Sequence, residues 1–138
     1  MPWNPISKTL NAGEPAPNLA DYATACAAFS WAEARAELTG LPDGGLNIAF
    51  EAVDRLVDAD QGERVALRWL GKNGERRDFS YAELARLSNQ FANGLERLGI
   101  RPGDRVCVLA GRIPELYITA LGTLKAGAVF CPLFSAFG

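Results

Sequence analysis

Apolar positions along this chain follow more than one period, and the changes of period mark its elements. Leu84, Leu87, Phe91, Leu95 and Leu98 recur at steps of 3, 4, 4 and 3, which lays them along one face of an amphipathic helix. Ser80 and Glu83 in front of them make a capping box. Gly99 stands at the C′ position behind, so a helix is predicted over residues 81–98. Upstream, RVALRWL alternates: Val65, Leu67 and Trp69 face one way, Ala66, Arg68 and Leu70 the other, as in a half-buried strand. Asn73-Gly74 can adopt the positive φ angles of a tight turn. ERRDF then returns with Arg77 and Phe79 on one side, and a β-hairpin is expected over residues 64–79.

Downstream, RVCVLA and AVFCPL are short unbroken apolar runs, the pattern of strands covered on both faces. Between them Pro114 opens a helix at its first position, and Gly127 closes it. Leu116, Tyr117, Ile118, Ala120, Leu121 and Leu124 spread over more than half of its circumference, so packing from several sides is expected. RPGD before the first run reads as a type II turn with Gly103 at its positive-φ corner. Strand, helix and strand together make a βαβ unit with parallel strands.

The N-terminal third is helical in pattern. Asn18 caps a short helix over residues 19–28. Ser30 caps WAEARAEL, with Glu33 as its capping-box partner and Gly40 as its end. Asn47 caps IAFEAVDRLVDA, in which Phe50, Val53 and Val57 form a stripe. The residues before these, with Pro2, Pro5, Gly13, Pro15 and Pro17, read as an extended lead-in.

The fold class is therefore α/β: N-terminal helices, a β-hairpin and a βαβ unit. A parallel sheet needs both faces covered and neighbours at its edges. Two strands followed by the uncharged ending VFCPLFSAFG do not supply them. The expectation is the incomplete start of a larger parallel-sheet domain, self-associating through its exposed sheet edge.

Composition narrows the function classes. The 138 residues carry 14 basic and 16 acidic side chains, a net charge of −2, and 49% hydrophobic residues. That is a globular composition without the basic footprint of nucleic-acid binding. No apolar run reaches the roughly 20 residues of a membrane span, and MPWNPISKTL lacks the apolar stretch of a secretory leader. Cys26, Cys107 and Cys131 are few and odd in number, which suits a reducing, cytoplasmic setting. Histidine is absent, which excludes a Ser-His-Asp or Cys-His nucleophile and, with three scattered cysteines, argues against zinc. No catalytic and no metal-binding residue is assigned. Asp54, Glu83, Asp104 and Glu115 read as local helix or turn stabilisers, and Cys107 and Cys131 as small core hydrophobes. Lys72, Arg76 and Arg77 read as a solvated basic cluster, and Arg112 as an ordinary loop arginine.

Four features in order carry a resemblance. They are Tyr81, Glu83 and Leu84 at a helix start; Gly99 followed by Gly103-Asp104-Arg105-Val106; Pro114-Glu115 opening the next helix; and Lys125-Ala126-Gly127-Ala128 before the second strand. Together they resemble the N-terminal part of the adenylate-forming enzymes, the superfamily of acyl-CoA synthetases, luciferases and peptide-synthetase adenylation domains. GGLNIAFEAVDR, residues 44–55, is similar to the segment by which acetyl-CoA synthetases enter their large domain. Asn47, Asp54 and Arg55 match, and Leu56 replaces the family's histidine. The resemblance covers residues 18–138. It implies an extended lead-in (1–17), a helical N-terminal region of acetyl-CoA synthetase type (18–63) and the first, truncated part of an AMP-binding large domain (64–138).

The activity implied is AMP-forming ligation of acetate or another short carboxylate to CoA through an acyl-adenylate. ATP, CoA and Mg²⁺ serve the complete enzyme, with no nucleic-acid or membrane partner. The family's phosphate loop, ribose-binding aspartate and C-terminal lysine have no counterpart here, so the isolated chain is expected to be inactive and to bind none of these. Phe134, Ser135 and Ala136 fall in a stretch that the family writes aromatic-Gly-Gly-aromatic, close to its CoA channel. Ser135 and Ala136 replace both glycines, and a Cβ limits close backbone approach. Two alternatives stay open: a stand-alone interaction module with the same partial fold, or part of another acyl- or aryl-adenylating enzyme.

Overall fold

A computed structural model describes residues 13–133; most of the expected lead-in lies outside them. The chain divides into two units, Met1–Glu37 and Leu38–Gly138. In the first, helix α1 spans Tyr22–Ala28 and helix α2 spans Trp31–Ala36. Asp21, not Asn18, caps α1. Its carboxylate accepts from the Thr24 backbone N–H at 3.1 Å and the Thr24 hydroxyl at 2.5 Å, two bonds from one residue placed three positions on. Ser30 caps α2 as expected, accepting from the Glu33 N–H at 3.3 Å. The rings of Phe29 and Trp31 meet edge to face at 5.0 Å. α2 stops at Ala36, short of the expected Gly40.

In the second unit the Thr39 and Gly40 N–H groups are bound by the Glu51 carboxylate, at 3.2 and 2.6 Å. Asn47 starts a helical run through its Oδ1, which accepts from Ala49 N and Phe50 N at 3.0 and 3.3 Å. The run contains two π-helical turns, Phe50–Asp54 and Val57–Gln61, and so outlasts the expected end at residue 59. Asp60 sits at φ 58°, a left-handed conformation that Asp tolerates better than most residues.

The hairpin forms from strands β1 (Val65–Leu70) and β2 (Arg76–Ser80) in antiparallel register. That register shifts between Val65 and Leu67, as at a bulge. Ala66 and Leu67 consequently both pack against the core, where strict alternation would place them on opposite faces. Helix α3 (Tyr81–Arg97) follows, with Ser80 Oγ accepting from Glu83 N at 3.2 Å. It ends in a Schellman pair, Ile100 N to Leu95 O at 3.0 Å and Gly99 N to Glu96 O at 2.9 Å, with Gly99 at φ 84°. Leu98, the last member of the predicted stripe, is the C-cap residue and is 80% exposed.

The βαβ unit is strand β3 (Arg105–Leu109), helix α4 (Pro114–Lys125) and strand β4 (Val129–Leu133), and β3 and β4 pair in parallel. The turn before β3 closes with Asp104 N donating to Arg101 O at 3.0 Å. The core is Val53, Phe79, Leu84 and Ala85, against which Ile118 and Leu121 of α4 pack. It lies where the helical run, the hairpin and α3 meet. α3 and α4 cross closely at Gly122, where an added Cβ would fall 2.7 Å from Ser88 O and 2.9 Å from Phe91 Cβ. Buried Ser88 turns its hydroxyl back to Leu84 O at 2.7 Å and Ala85 O at 3.1 Å.

Two expectations about burial are corrected. β3 is covered on one face only: Val106 and Val108 are half-buried, while Arg105, Cys107 and Leu109 are exposed. Cys107 is therefore exposed and Cys131 half-buried, and neither is a core residue. α4 is likewise less enclosed, with Tyr117 48% exposed. Among the described residues, nothing covers the face that carries Arg105, Cys107 and Leu109.

Candidate functional site

Ligands of open α/β sheets gather beyond the carboxyl ends of the strands, here past Leu109 and Leu133. The residues that leave β3 are tied down by the hairpin. Trp69 Nε1 donates to Arg112 O at 2.7 Å, and Arg77 pairs with Glu115 at 3.2 Å. The Glu115 carboxyl is held below its ordinary range, first by its own backbone N–H and then by Arg77. It occupies the positive end of the α4 dipole, and Pro114 removes one of the N–H groups an anion would use. The Arg112 side chain stands exposed on the loop, as expected of an ordinary arginine. Phe134, Ser135 and Ala136 follow β4 directly but lie outside the described residues.

The strongest polar cluster lies at the other end of α4. Lys125 Nζ donates to Asp54 Oδ1 at 2.8 Å, to Asn89 Oδ1 at 2.8 Å and to Ala85 O at 3.4 Å. Its side chain is 10% exposed and that of Asp54 is 21% exposed. All three ammonium protons thus have acceptors, from the helical run and from α3. Asn47 adds a second tie, its Nδ2 donating to Leu124 O at 2.8 Å while its Oδ1 caps the run. Asp54 Oδ2 is buried without a hydrogen bond. With Asn47, Asn89 and Lys125, Asp54 lines a pocket of about 250 Å³.

Asp54 therefore has a long-range partner and is more than a local helix stabiliser. A lysine with every donor engaged is neither a nucleophile nor a phosphate ligand; chemically, this arrangement clamps. The signal available in the sequence was that Asn47, Asp54 and Lys125 all sit in the motifs that carry the family resemblance. What joins them is the fold.

The basic cluster at the hairpin tip is solvated as expected, with Lys72, Arg76 and Arg77 all exposed, and its two arginines are paired as well. Arg68 grips Asp78 through two bonds, at 2.7 and 3.1 Å, and Arg76 reaches the same carboxylate at 2.5 Å. Arg68 first, and Arg76 next, hold the Asp78 carboxyl well below the usual carboxylate range. With Arg77 paired to Glu115, both consecutive arginines are neutralised in place. Asp104 keeps its expected turn role, its Oδ2 accepting from Arg101 N at 2.7 Å.

Among the described residues no group of three or more His, Cys, Asp or Glu side chains could hold a metal ion. Among the same described residues no helix is long and apolar enough to cross a membrane. The positive-φ glycines are scattered over separate turns rather than gathered in one loop. This donor set does not fit a triphosphate with its Mg²⁺, so no chemical step is derived from it.

Comparison with known proteins accounts for that geometry. A family model described as AMP-binding enzyme matches residues 55–138. The chain is 39% identical over 132 residues to an acetyl-coenzyme A synthetase of Bacillus subtilis, covering 94% of this chain and 23% of that protein. The crystal structure of a Brucella canis acyl-CoA synthetase superposes with a TM-score of 0.77 at 39% identity, over 85% of this chain and 21% of the other. An acetoacetyl-CoA synthetase from Streptomyces lividans gives 0.61 at 31% identity, over 67% and 14%. The chain thus spans less than a quarter of the length of these relatives. With the family model covering most of the second unit, and an acyl-CoA synthetase fold matched along most of its length, this chain belongs to the AMP-binding, adenylate-forming enzyme family.

Proposed function

We propose that this chain is the N-terminal portion of an AMP-forming ligase that joins acetate or another short carboxylate to CoA. In that reaction the carboxylate attacks the α-phosphorus of ATP, giving acyl-AMP and pyrophosphate, and the CoA thiol then displaces AMP. Mg²⁺ would offset phosphate charge in the complete enzyme. The observation that carries the reading is the 39% identity to an acetyl-coenzyme A synthetase across 94% of the chain.

The chain's own contribution is positional. Lys125, Asp54 and Asn47 tie the end of α4 to the helical run, and α4 leads directly into β4. Phe134, Ser135 and Ala136, which follow β4, lie beside CoA in the complete enzyme. Residues 1–17 form a lead-in, 18–63 a helical N-terminal region and 64–138 the first part of the large domain. The setting is cytoplasmic, and the 138 residues alone are inactive and self-associate through the β3–β4 edge.

The test is a chimera in which residues 1–138 replace the matching segment of the Bacillus subtilis enzyme. Acetate-dependent AMP release by the chimera, and none by the isolated chain, is expected. A folded chimera that releases no AMP with any carboxylate, beside an active parent, overturns the reading. So does turnover by the isolated chain.

A further inference from the structure

Strands β3 and β4 end side by side, with Leu109 and Leu133 as register partners. The loop that leaves β3, residues 110–113, therefore stands at the carboxyl end of the parallel pair, where ligands of open α/β sheets gather. Within it Ile113 N donates to Gly111 O at 2.9 Å. Pro114, fully buried at the start of α4, anchors its far end. The hairpin supplies the next tie: Trp69 Nε1 donates to Arg112 O at 2.7 Å across 43 positions of sequence.

The indole is itself placed by its own hairpin. An added Cβ at Gly71 would fall 2.8 Å from Trp69 Cη2 and closer still to the Glu75 carboxylate, so a side chain at that position would push the ring away. A second contact joins the same two elements, Arg77 to Glu115 at 3.2 Å, with side chains 50% and 55% exposed. An ion pair that open to water adds little, which leaves Trp69 as the principal brace. None of these contacts requires an uncovered surface, since each joins two segments of this chain.

We propose that Trp69 is a positioning residue for the CoA-dependent half-reaction: by holding Arg112 O it fixes the β3–α4 loop against which CoA docks. The inference rests on the ligase reading, in which Phe134, Ser135 and Ala136, following Leu133, lie beside CoA. In that reading the groups that hold ATP lie beyond this chain, so the brace bears on thioester formation and not on adenylation. In thioester formation the CoA sulfur bonds to the acyl carbon, the bond from that carbon to the AMP phosphate oxygen breaks, and the thiol proton leaves to solvent. Trp69 touches none of these atoms and acts through the loop.

The test uses the chimera that carries residues 1–138 in the Bacillus subtilis enzyme, with Trp69→Phe, which keeps an aromatic ring and removes the N–H. Acetate-dependent ATP–pyrophosphate exchange should stay within about twofold, while kcat/KM for CoA should fall about five- to tenfold, the loss expected from one neutral hydrogen bond. Gly71→Ala, which displaces the indole and leaves its N–H in place, should give the same split. A general loss of structure would lower both half-reactions together, so an equal fall in exchange overturns the proposal. A CoA response that neither variant changes also overturns it. A folded chimera with native Trp69 that releases no AMP with any carboxylate overturns the ligase reading instead, and this inference with it.

Discussion

Lys125→Met removes a charge and three donors while keeping an unbranched stem of similar length, so it isolates the clamp. At 2.8 Å and an effective dielectric of about 20, the gross attraction between Lys125 and Asp54 is about 6 kcal/mol. Desolvation of the two ends offsets several kcal/mol per ion, so the intact pair contributes little net. The variant loses the attraction and keeps the desolvation. Asp54 Oδ2 is already buried without a hydrogen bond, and Oδ1 would then lose its Lys125 donor. Asn89 Oδ1 and Ala85 O would lose theirs as well.

Breaking a fully buried pair costs about 3–5 kcal/mol, and an exposed pair is worth under about 1 kcal/mol. With a fifth of the Asp54 side chain open to water, Lys125→Met should cost about 2–3 kcal/mol. Asp54→Asn retains an oxygen for Lys125 and should cost about 1–2 kcal/mol. The double variant removes both charges together, so its loss should fall short of the sum by at least about 1 kcal/mol. The assay is urea unfolding followed by far-UV circular dichroism with linear extrapolation. Additivity within about 0.5 kcal/mol, or a Lys125→Met cost below about 1 kcal/mol, would refute the view that this cluster binds α4 to the helical run.

Two further outcomes are expected. Thr123 is fully buried and its hydroxyl has no hydrogen-bond partner, so Thr123→Val, of nearly the same shape, should stabilise the chain by about 1–2 kcal/mol in the same urea assay; a loss of stability would mean that the hydroxyl is satisfied. The Asp78 carboxyl is held well below its ordinary range by Arg68 and then Arg76, so the hairpin's ionic stabilisation is complete above the unfolded value and drains away as pH falls toward the folded one. Asp78→Asn should therefore flatten the acid limb of the stability–pH curve below about pH 4, and an unchanged limb in that variant would show that other carboxylates set it.

The parts of this fold legible in the sequence are those that need only near neighbours. Ser80 with Glu83, Gly99 behind the helix and Arg101 to Asp104 in the turn each state their geometry within a few positions, and each forms as expected. Legibility ends where a contact joins distant segments. Asp54 and Lys125 are 71 residues apart, and Asn47 and Leu124 are 77 apart. Seen alone, Asp54 is a helix carboxylate. Cys107 fails for a related reason: apolar neighbours along a strand describe its composition, while burial depends on what lies against its face, and here nothing described does. Arg76 has its partner Asp78 only two residues away, whereas Arg77 meets Glu115 through the fold alone.

The clamp also ties distant stretches of the chain together. Asn47 and Asp54 come from one stretch and Lys125 from another, and a set split in this way is satisfied only when the two stretches touch. Asn47 couples the helix start to the last turn of α4 with one side chain, its oxygen capping the run and its nitrogen holding Leu124 O. Substituting any one of the three would strand polar groups on an element far away in sequence, which makes the set interdependent. Among the described residues this cluster offers no group to phosphate or metal chemistry, and what it does is fix where the following strand begins.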